Sequence, residues 1–172
     1  MKYDIDYYEN MLRIYSKTAE TISRIRWEWI GEVSPKKVLD YGSGVGWFRA
    51  FRPEGVYVDS MDIGPYPQKG ISCEHYDVVC FHDVLEHMKS FDEVKRIFET
   101  ATYVAGTIPV VPANKDVTVW KHYKPGEHLR YWSEESFEAD MSSEGFKKVK
   151  HGMPECPPRT DILSFLYKKW GR

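Results

Sequence analysis

Residues 37–46, Lys-Val-Leu-Asp-Tyr-Gly-Ser-Gly-Val-Gly, constrain this chain more than any other stretch. A short apolar run bounded by polar and turn residues reads as a buried strand. It ends in Gly42, Gly44 and Gly46, and Trp47-Phe48 behind them suit the start of a short helix. A strand that passes through a glycine turn into a helix opens an α/β sheet, and such sheets bind ligands at the carboxyl tips of their strands. Glycine at the turn lets the backbone bend sharply and approach a ligand closely.

The rest of the chain continues the alternation. Residues 4–33 predict a helix, with Leu12, Tyr15, Ala19, Ile22, Ile25 and Trp29 recurring at spacings of three and four on one face. Further strands are predicted at 56–62, 76–81, 103–109, 146–151 and 161–170, with a weak one at 71–73. Ser90 with Glu93 forms a capping-box pattern before a helical face of Val94, Ile97, Phe98 and Ala101. Ser133 with Glu134 and Glu135 starts another helix, which Gly145 stops. This predicts a three-layer, Rossmann-like α/β fold: a mostly parallel sheet with helices on both faces. No helix separates the last two strands, so the final strand runs antiparallel. The length of 172 residues fits one domain over 1–172. Residues 1–35 form its N-terminal helical segment. Residues 110–132, rich in Pro, His, Lys and aromatics, form an active-site loop.

Composition weighs against several classes. The net charge of −2 lacks the basic footprint of nucleic-acid binding. No apolar run reaches membrane-span length, and the acidic, polar start is unlike a targeting leader, so a cytoplasmic location is expected. Cys73, Cys80 and Cys156 are odd in number and contain no CxxC pair, against a disulfide framework or a zinc site.

The charge pattern points to a cationic ligand. Asp40 precedes the first glycine by two positions, where an acid favours a cation over a phosphate. The spacing is G-x-G-x-G, not the dinucleotide G-x-G-x-x-G, which argues against a nicotinamide-dependent oxidoreductase. Asp62, at the end of the second strand, is placed to accept hydrogen bonds from a ribose. Asp59 is the competing acid but falls inside the strand.

Together Val38-Leu39-Asp40-Tyr41-Gly42-Ser43-Gly44-Val45-Gly46, Val58-Asp59-Ser60-Met61-Asp62-Ile63 and the run Tyr76 through Leu85-Glu86-His87 resemble, in order, the motifs of class I S-adenosylmethionine (SAM)-dependent methyltransferases. The Leu-Glu-His form is similar to the subgroup containing ubiquinone-biosynthesis and related small-molecule enzymes. His128-Leu129-Arg130-Tyr131-Trp132-Ser133 and Glu144-Gly145-Phe146 resemble its late segments. The resemblance implies SAM as cofactor and a seven-stranded sheet of order 3-2-1-4-5-7-6 with strand seven antiparallel. It implies Asp62 on the ribose and Ile63 beside adenine. The stretch between Ile63 and Asp77 is short for the family's helix and third strand, so that region is shortened. Residues 72–75 are the candidates for the adenine amine.

The expected cofactor residues are Asp40, Tyr41, Gly42, Ser43, Gly44, Gly46, Asp62, Ile63, His82, Asp83 and Val84. His82 and Asp83 lie toward the methionine end. Tyr7, Tyr8 and Tyr15 either pack or cap the site. His87 and His128 are the candidate catalytic bases, since histidine titrates near neutrality. His122, Arg130 and Tyr131 are the candidate acceptor contacts. No metal is expected, because no histidine pair has i, i+4 spacing on a clear helix and no carboxylate is evidently fixed beside them. The expected reaction is methyl transfer to an O or N atom of a small molecule. The rivals are a nucleic-acid or protein methyltransferase and a non-catalytic SAM-binding module.

Overall fold

The computed structural model describes residues 4–64 and 74–171. The elements are α1 (Ile5–Gly31), β1 (Lys37–Tyr41), α2 (Trp47–Ala50), β2 (Tyr57–Met61), β3 (Tyr76–His82), α3 (Lys95–Glu99), β4 (Ala101–Pro109), α4 (Glu134–Ser143), β5 (Phe146–Gly152) and β6 (Ile162–Lys169). The sheet order is β2-β1-β3-β4-β6-β5. The first four strands pair in parallel, and β6 runs antiparallel to both β4 and β5. Among the described residues, no helix is long and apolar enough to cross a membrane.

Each strand feeds alternate side chains to opposite faces. Val38, Val78, Cys80, Ala105 and Leu166 meet Trp27 and Ile30 of α1 and Phe48 of α2. Leu39, Val79, Phe81, Val104, Phe165 and Tyr167 meet Phe98 of α3 and Phe137 and Met141 of α4. Two helix layers therefore sandwich one sheet, as expected.

Three expectations need correction. The sheet has six strands among the described residues, not seven, and its order is the implied one with the third strand left out. The weak strand expected at 71–73 lies outside the described residues.

The buried face of α1 is also rotated. Tyr8, Ala19, Ser23, Trp27 and Ile30 are buried, whereas Leu12 and Tyr15 are exposed. Trp27 sets the face: its ring stacks on Phe48 at 4.2 Å and its indole N–H donates to the Phe48 carbonyl at 2.8 Å. Trp29 is turned aside, beneath the Lys150 ammonium.

The helix expected from Ser90 is broken. Residues Phe91–Glu93 form a 3₁₀ turn and α3 is short, with Ala101 already in β4. The Glu93 carboxylate accepts from the Lys89 N–H at 2.7 Å, so the reciprocal capping box does not close on Ser90. At α4 the box does close, between Ser133 and Ser136.

Candidate functional site

The tips of the four parallel strands share one edge, and the glycine turn lies across it. Gly42 N–H and Ser43 N–H both donate to the Met61 carbonyl, at 2.7 and 3.1 Å, which ties the turn to the end of β2. Gly42 has φ 79°, and a Cβ there would overlap a methyl of Val84. Val84 thus packs beneath the turn and requires glycine at that point. Gly44 and Gly46 also have positive φ, but open space lies beside them.

Two carboxylates flank the turn. Asp40 is buried, and its Oδ2 has no hydrogen-bond partner among the described residues. Burial pushes its carboxyl up to about 7, with Arg26 opposing the shift and Asp62 adding to it. Asp62 is engaged on both oxygens. Oδ2 accepts from Gly44 N–H at 2.7 Å, and Oδ1 accepts from Gly64 N–H at 2.7 Å and from the Tyr8 hydroxyl. Tyr8 is itself buried, so its ring packs while its hydroxyl bonds Asp62. Asp59 is consumed structurally, as its position inside the strand suggested: it is buried and accepts from the hydroxyls of Tyr57 and Tyr76. Ile63 is 80% exposed, an apolar side chain open beside Asp62. Tyr41 is half-buried, with its ring tilted against Phe81.

At the tip of β3, both ring nitrogens of His82 are buried without a protein partner. Burial, reinforced by the Arg26 charge, holds its pKa well below the usual range, so the ring is neutral. Asp83 follows with φ 59°. Its carboxylate closes a cluster that sequence reasoning missed. Arg26 donates to Asp83 at 3.2 Å and to Glu155 at 2.7 Å; Arg159 donates to Asp83 at 2.7 Å and to Glu155 at 2.5 Å. The Thr107 hydroxyl adds a bond to Asp83 at 3.1 Å. Burial works against the Asp83 charge, but the Arg159 and Arg26 guanidiniums outweigh it and hold the carboxyl well below the ordinary range. Glu155 is fully buried. The available signal was Arg26 sitting at helical spacing between Ser23 and Ile30. Glu155 and Arg159 stood at i, i+4 in a proline-rich connection.

The acceptor-side candidates divide. His87 and His128 come together, with ring centroids 4.8 Å apart and edge-on. His87 Nδ1–H donates to the Glu127 carbonyl at 3.0 Å, which leaves Nε2 as the unprotonated nitrogen. His128 is buried and its Nδ1 has no protein partner. Burial, with His87 and Lys124 nearby, pushes its pKa down to about 4, and burial also lowers that of His87. Glu86 lies between them in the 3₁₀ turn Leu85–His87; it is buried, its Oε2 lacks a partner, and burial with the Asp83 charge pushes its carboxyl well above the usual range. The loop is tied to this turn by Leu129 N–H and Arg130 N–H, both donating to the Glu86 carbonyl.

Tyr131 lies near, its ring 6.3 Å from that of His128. His122 is set apart, donating to the Thr160 carbonyl at 3.2 Å and edge-on to Trp120. The Arg130 guanidinium is committed elsewhere: it pairs with Asp140 of α4 and lies over the rings of Phe91 and Trp132. An acceptor contact was expected of Arg130, but a guanidinium this near two aromatic faces and a carboxylate gains more by joining the loop to α4.

Comparison with known proteins bears on the fold and the family. No curated protein matches the sequence. The structure resembles 1,6-didemethyltoxoflavin-N1-methyltransferase of Burkholderia thailandensis, solved with 1,6-didemethyltoxoflavin and S-adenosylhomocysteine, at 17% identity and TM-score 0.67 over 96% of this chain and 84% of that one. It also resembles magnesium protoporphyrin IX methyltransferase of Synechocystis PCC 6803, solved with S-adenosylhomocysteine, at 18% identity and TM-score 0.58 over 89% and 82%. A proposed O-methyltransferase of Nostoc punctiforme PCC 73102 matches at 13% identity and TM-score 0.66 over 95% of this chain, which spans only 59% of that protein. At these identities the likeness shows the fold. The family model for the methyltransferase domain matches residues 11–151, most of the chain, from α1 through nearly all of β5. The chain belongs to the methyltransferase domain family.

Proposed function

We propose that this chain binds S-adenosylmethionine over the glycine turn and transfers its methyl group to an oxygen or nitrogen of a small molecule. The observation that carries the reading is the Asp40 Oδ2 atom, buried and unpartnered beside a turn whose second and third glycines face open space. A cationic ligand fits such a carboxylate, and a phosphate does not. Asp40 and the backbone of residues 42–46 would hold the amino-acid end, Asp62 the ribose, and Ile63 one face of the adenine. His82 and Asp83 close the methionine side, and Tyr41, Ser43 and Val84 shape the wall.

When bound, the sulfonium supplies an already activated methyl group. The protein's share is to position the acceptor and exclude water. His87 and His128 stand on the acceptor side with unprotonated nitrogens, where a hydroxyl would be bound and relieved of its proton. Tyr131 and His122 line the loop that flanks them. The small-molecule reading is supported by the named substrates of the Burkholderia and Synechocystis proteins.

Calorimetry with SAM and S-adenosylhomocysteine tests the reading. Both ligands bind the wild type near one per chain, and Asp62→Ala weakens both by about tenfold or more, the scale of a lost charge-assisted hydrogen bond. Absence of heat with both ligands in the folded wild type overturns it. The alternative reading is a SAM-binding module without turnover. Binding without a methylated product across a panel of hydroxyl and amine acceptors would select it.

A further inference from the structure

We propose that Glu86, His87 and His128 form a divalent-metal site of the two-histidine, one-carboxylate type on the acceptor side of the sheet edge. The proposal rests on the methyl-transfer reading only for its purpose, which would be to hold an oxygen donor of the acceptor; the site itself stands on the following geometry.

One donor atom from each of the three side chains lies within 4.8 Å of the other two. Glu86 is 2% exposed and His128 is 6% exposed. Glu86 Oε2 and His128 Nδ1 are buried and have no hydrogen-bond partner among the described residues. Buried polar atoms left in this state are costly, and two in one cluster mark a place for a ligand. The remaining atoms of the same residues are already oriented. His87 gives its Nδ1–H to the Glu127 carbonyl. The His128 ring stands edge-on to that of His87. Metal-bound imidazoles characteristically donate their second N–H to a carbonyl or carboxylate, as His87 does, which fixes the tautomer and aims the other nitrogen. The Glu86 carbonyl is pinned by Leu129 and Arg130, so the turn carrying Glu86 and His87 and the loop carrying His128 are locked together before any ion arrives.

The donor set selects the ion. Two imidazoles and a carboxylate suit borderline first-row cations such as Mn²⁺, Co²⁺ or Zn²⁺. Donors at about 2.1 Å from an ion lie roughly 3.0–3.4 Å apart, so small side-chain rotations close the cluster. Three protein ligands leave positions open for an oxygen donor, as catalytic sites require. The spacing rule that argued against metal in the sequence considered a histidine pair on one helix. Here the pair is split between a 3₁₀ turn and a distant loop, and the carboxylate is the residue next to His87.

The test uses the full-length protein freed of metal by chelation. Titration with Co²⁺, read by visible d–d absorption, gives about one ion per chain, and pulsed EPR of bound Mn²⁺ shows ¹⁴N couplings from imidazole. Glu86→Gln and His128→Ala each weaken Co²⁺ by on the order of 1,000-fold, beyond the roughly 10–100-fold that the loss of an outer-shell partner costs. His151→Ala, at a histidine paired with Glu134 and Tyr167, leaves binding unchanged. Circular dichroism confirms that the variants fold, and the EPR couplings need no variant. No Co²⁺ binding by the folded wild type overturns the proposal. So does binding that survives both substitutions, or that shows no nitrogen coupling. SAM calorimetry on the same samples separates the two readings: an ion bound without SAM leaves the metal site standing and removes methyl transfer, and SAM bound without an ion does the reverse.

Discussion

The tips of β1 and β2 hold charge with near neighbours, while the tips of β3 and β4 hold it with distant ones. Asp62 takes N–H groups from Gly64, two positions on, and from Gly44, 18 positions earlier within one βαβ unit, and the Tyr8 hydroxyl reaches it from α1. Asp83 is gripped by Arg26, 57 positions earlier, and Arg159, 76 positions later. The first arrangement shapes a ligand site at little cost to the fold. The second ties α1, β3 and the β5–β6 connection into one unit, so the two ends should fail differently when cut.

The largest effect is expected at the second end. Glu155→Gln leaves the Arg26 and Arg159 guanidiniums sharing Asp83 alone in a buried setting. Removing one partner of a buried ion pair costs about 3–5 kcal/mol, which at this chain length lowers Tm by roughly 10 °C or more. Thermal unfolding followed by circular dichroism measures it; a shift within about 2 °C would mean that the cluster does not join these segments. The pH sign follows from Asp83, whose folded pKa lies below its unfolded value. Its contribution is present above the unfolded pKa of about 4 and is lost as pH falls through the lower folded value.

The same contrast explains what could be read in the sequence. Asp40, the three glycines and Asp62 fall in one short stretch, and their chemistry follows from order along the chain. The strands from β1 to β6 were equally legible, because alternation of buried side chains is a local pattern. Arg26, Glu155 and the grouping of Glu86 with His87 and His128 were not, since each depends on which loops meet at the sheet edge. The face of α1 was misread for a related reason: its buried stripe includes the polar Ser23, and the half-buried Arg26 beside it becomes useful only through Asp83 and Glu155, while apolar Leu12 and Tyr15 face outward.

An intermediate effect is expected at Asp40, and it has opposite signs for stability and binding. Its folded carboxyl pKa of about 7 exceeds the unfolded value. The folded state therefore holds a proton that the unfolded state has lost, and stability declines as pH rises from about 4 to 7. Asp40→Asn removes that penalty. The variant should unfold like the wild type near pH 4 and be more stable by about 1–3 kcal/mol at pH 8. SAM should bind it more weakly, because the unpartnered carboxylate beside the turn is gone and Asp62 is already engaged on both oxygens. Equal melting at both pH values would show that Asp40 is solvated in the folded chain, and the cation-binding role would lose its support.

The smallest effect sharpens the first end of the comparison. A carboxylate offers about four lone-pair positions, and Tyr8, Gly44 and Gly64 occupy three on Asp62. A ribose needs two. Tyr8→Phe keeps the ring, which packs where a Cβ on Gly64 would sit, and removes only the hydroxyl. Stability should fall by about 0.5–1.5 kcal/mol, the usual net worth of one hydrogen bond. If the hydroxyl competes with the ribose, SAM should bind a few-fold more tightly to the variant, since a few tenths of a kcal/mol regained at Asp62 moves Kd by about that much. Weaker binding to Tyr8→Phe would mean the opposite, that Tyr8 shares Asp62 with the ligand and α1 completes the site instead of obstructing it.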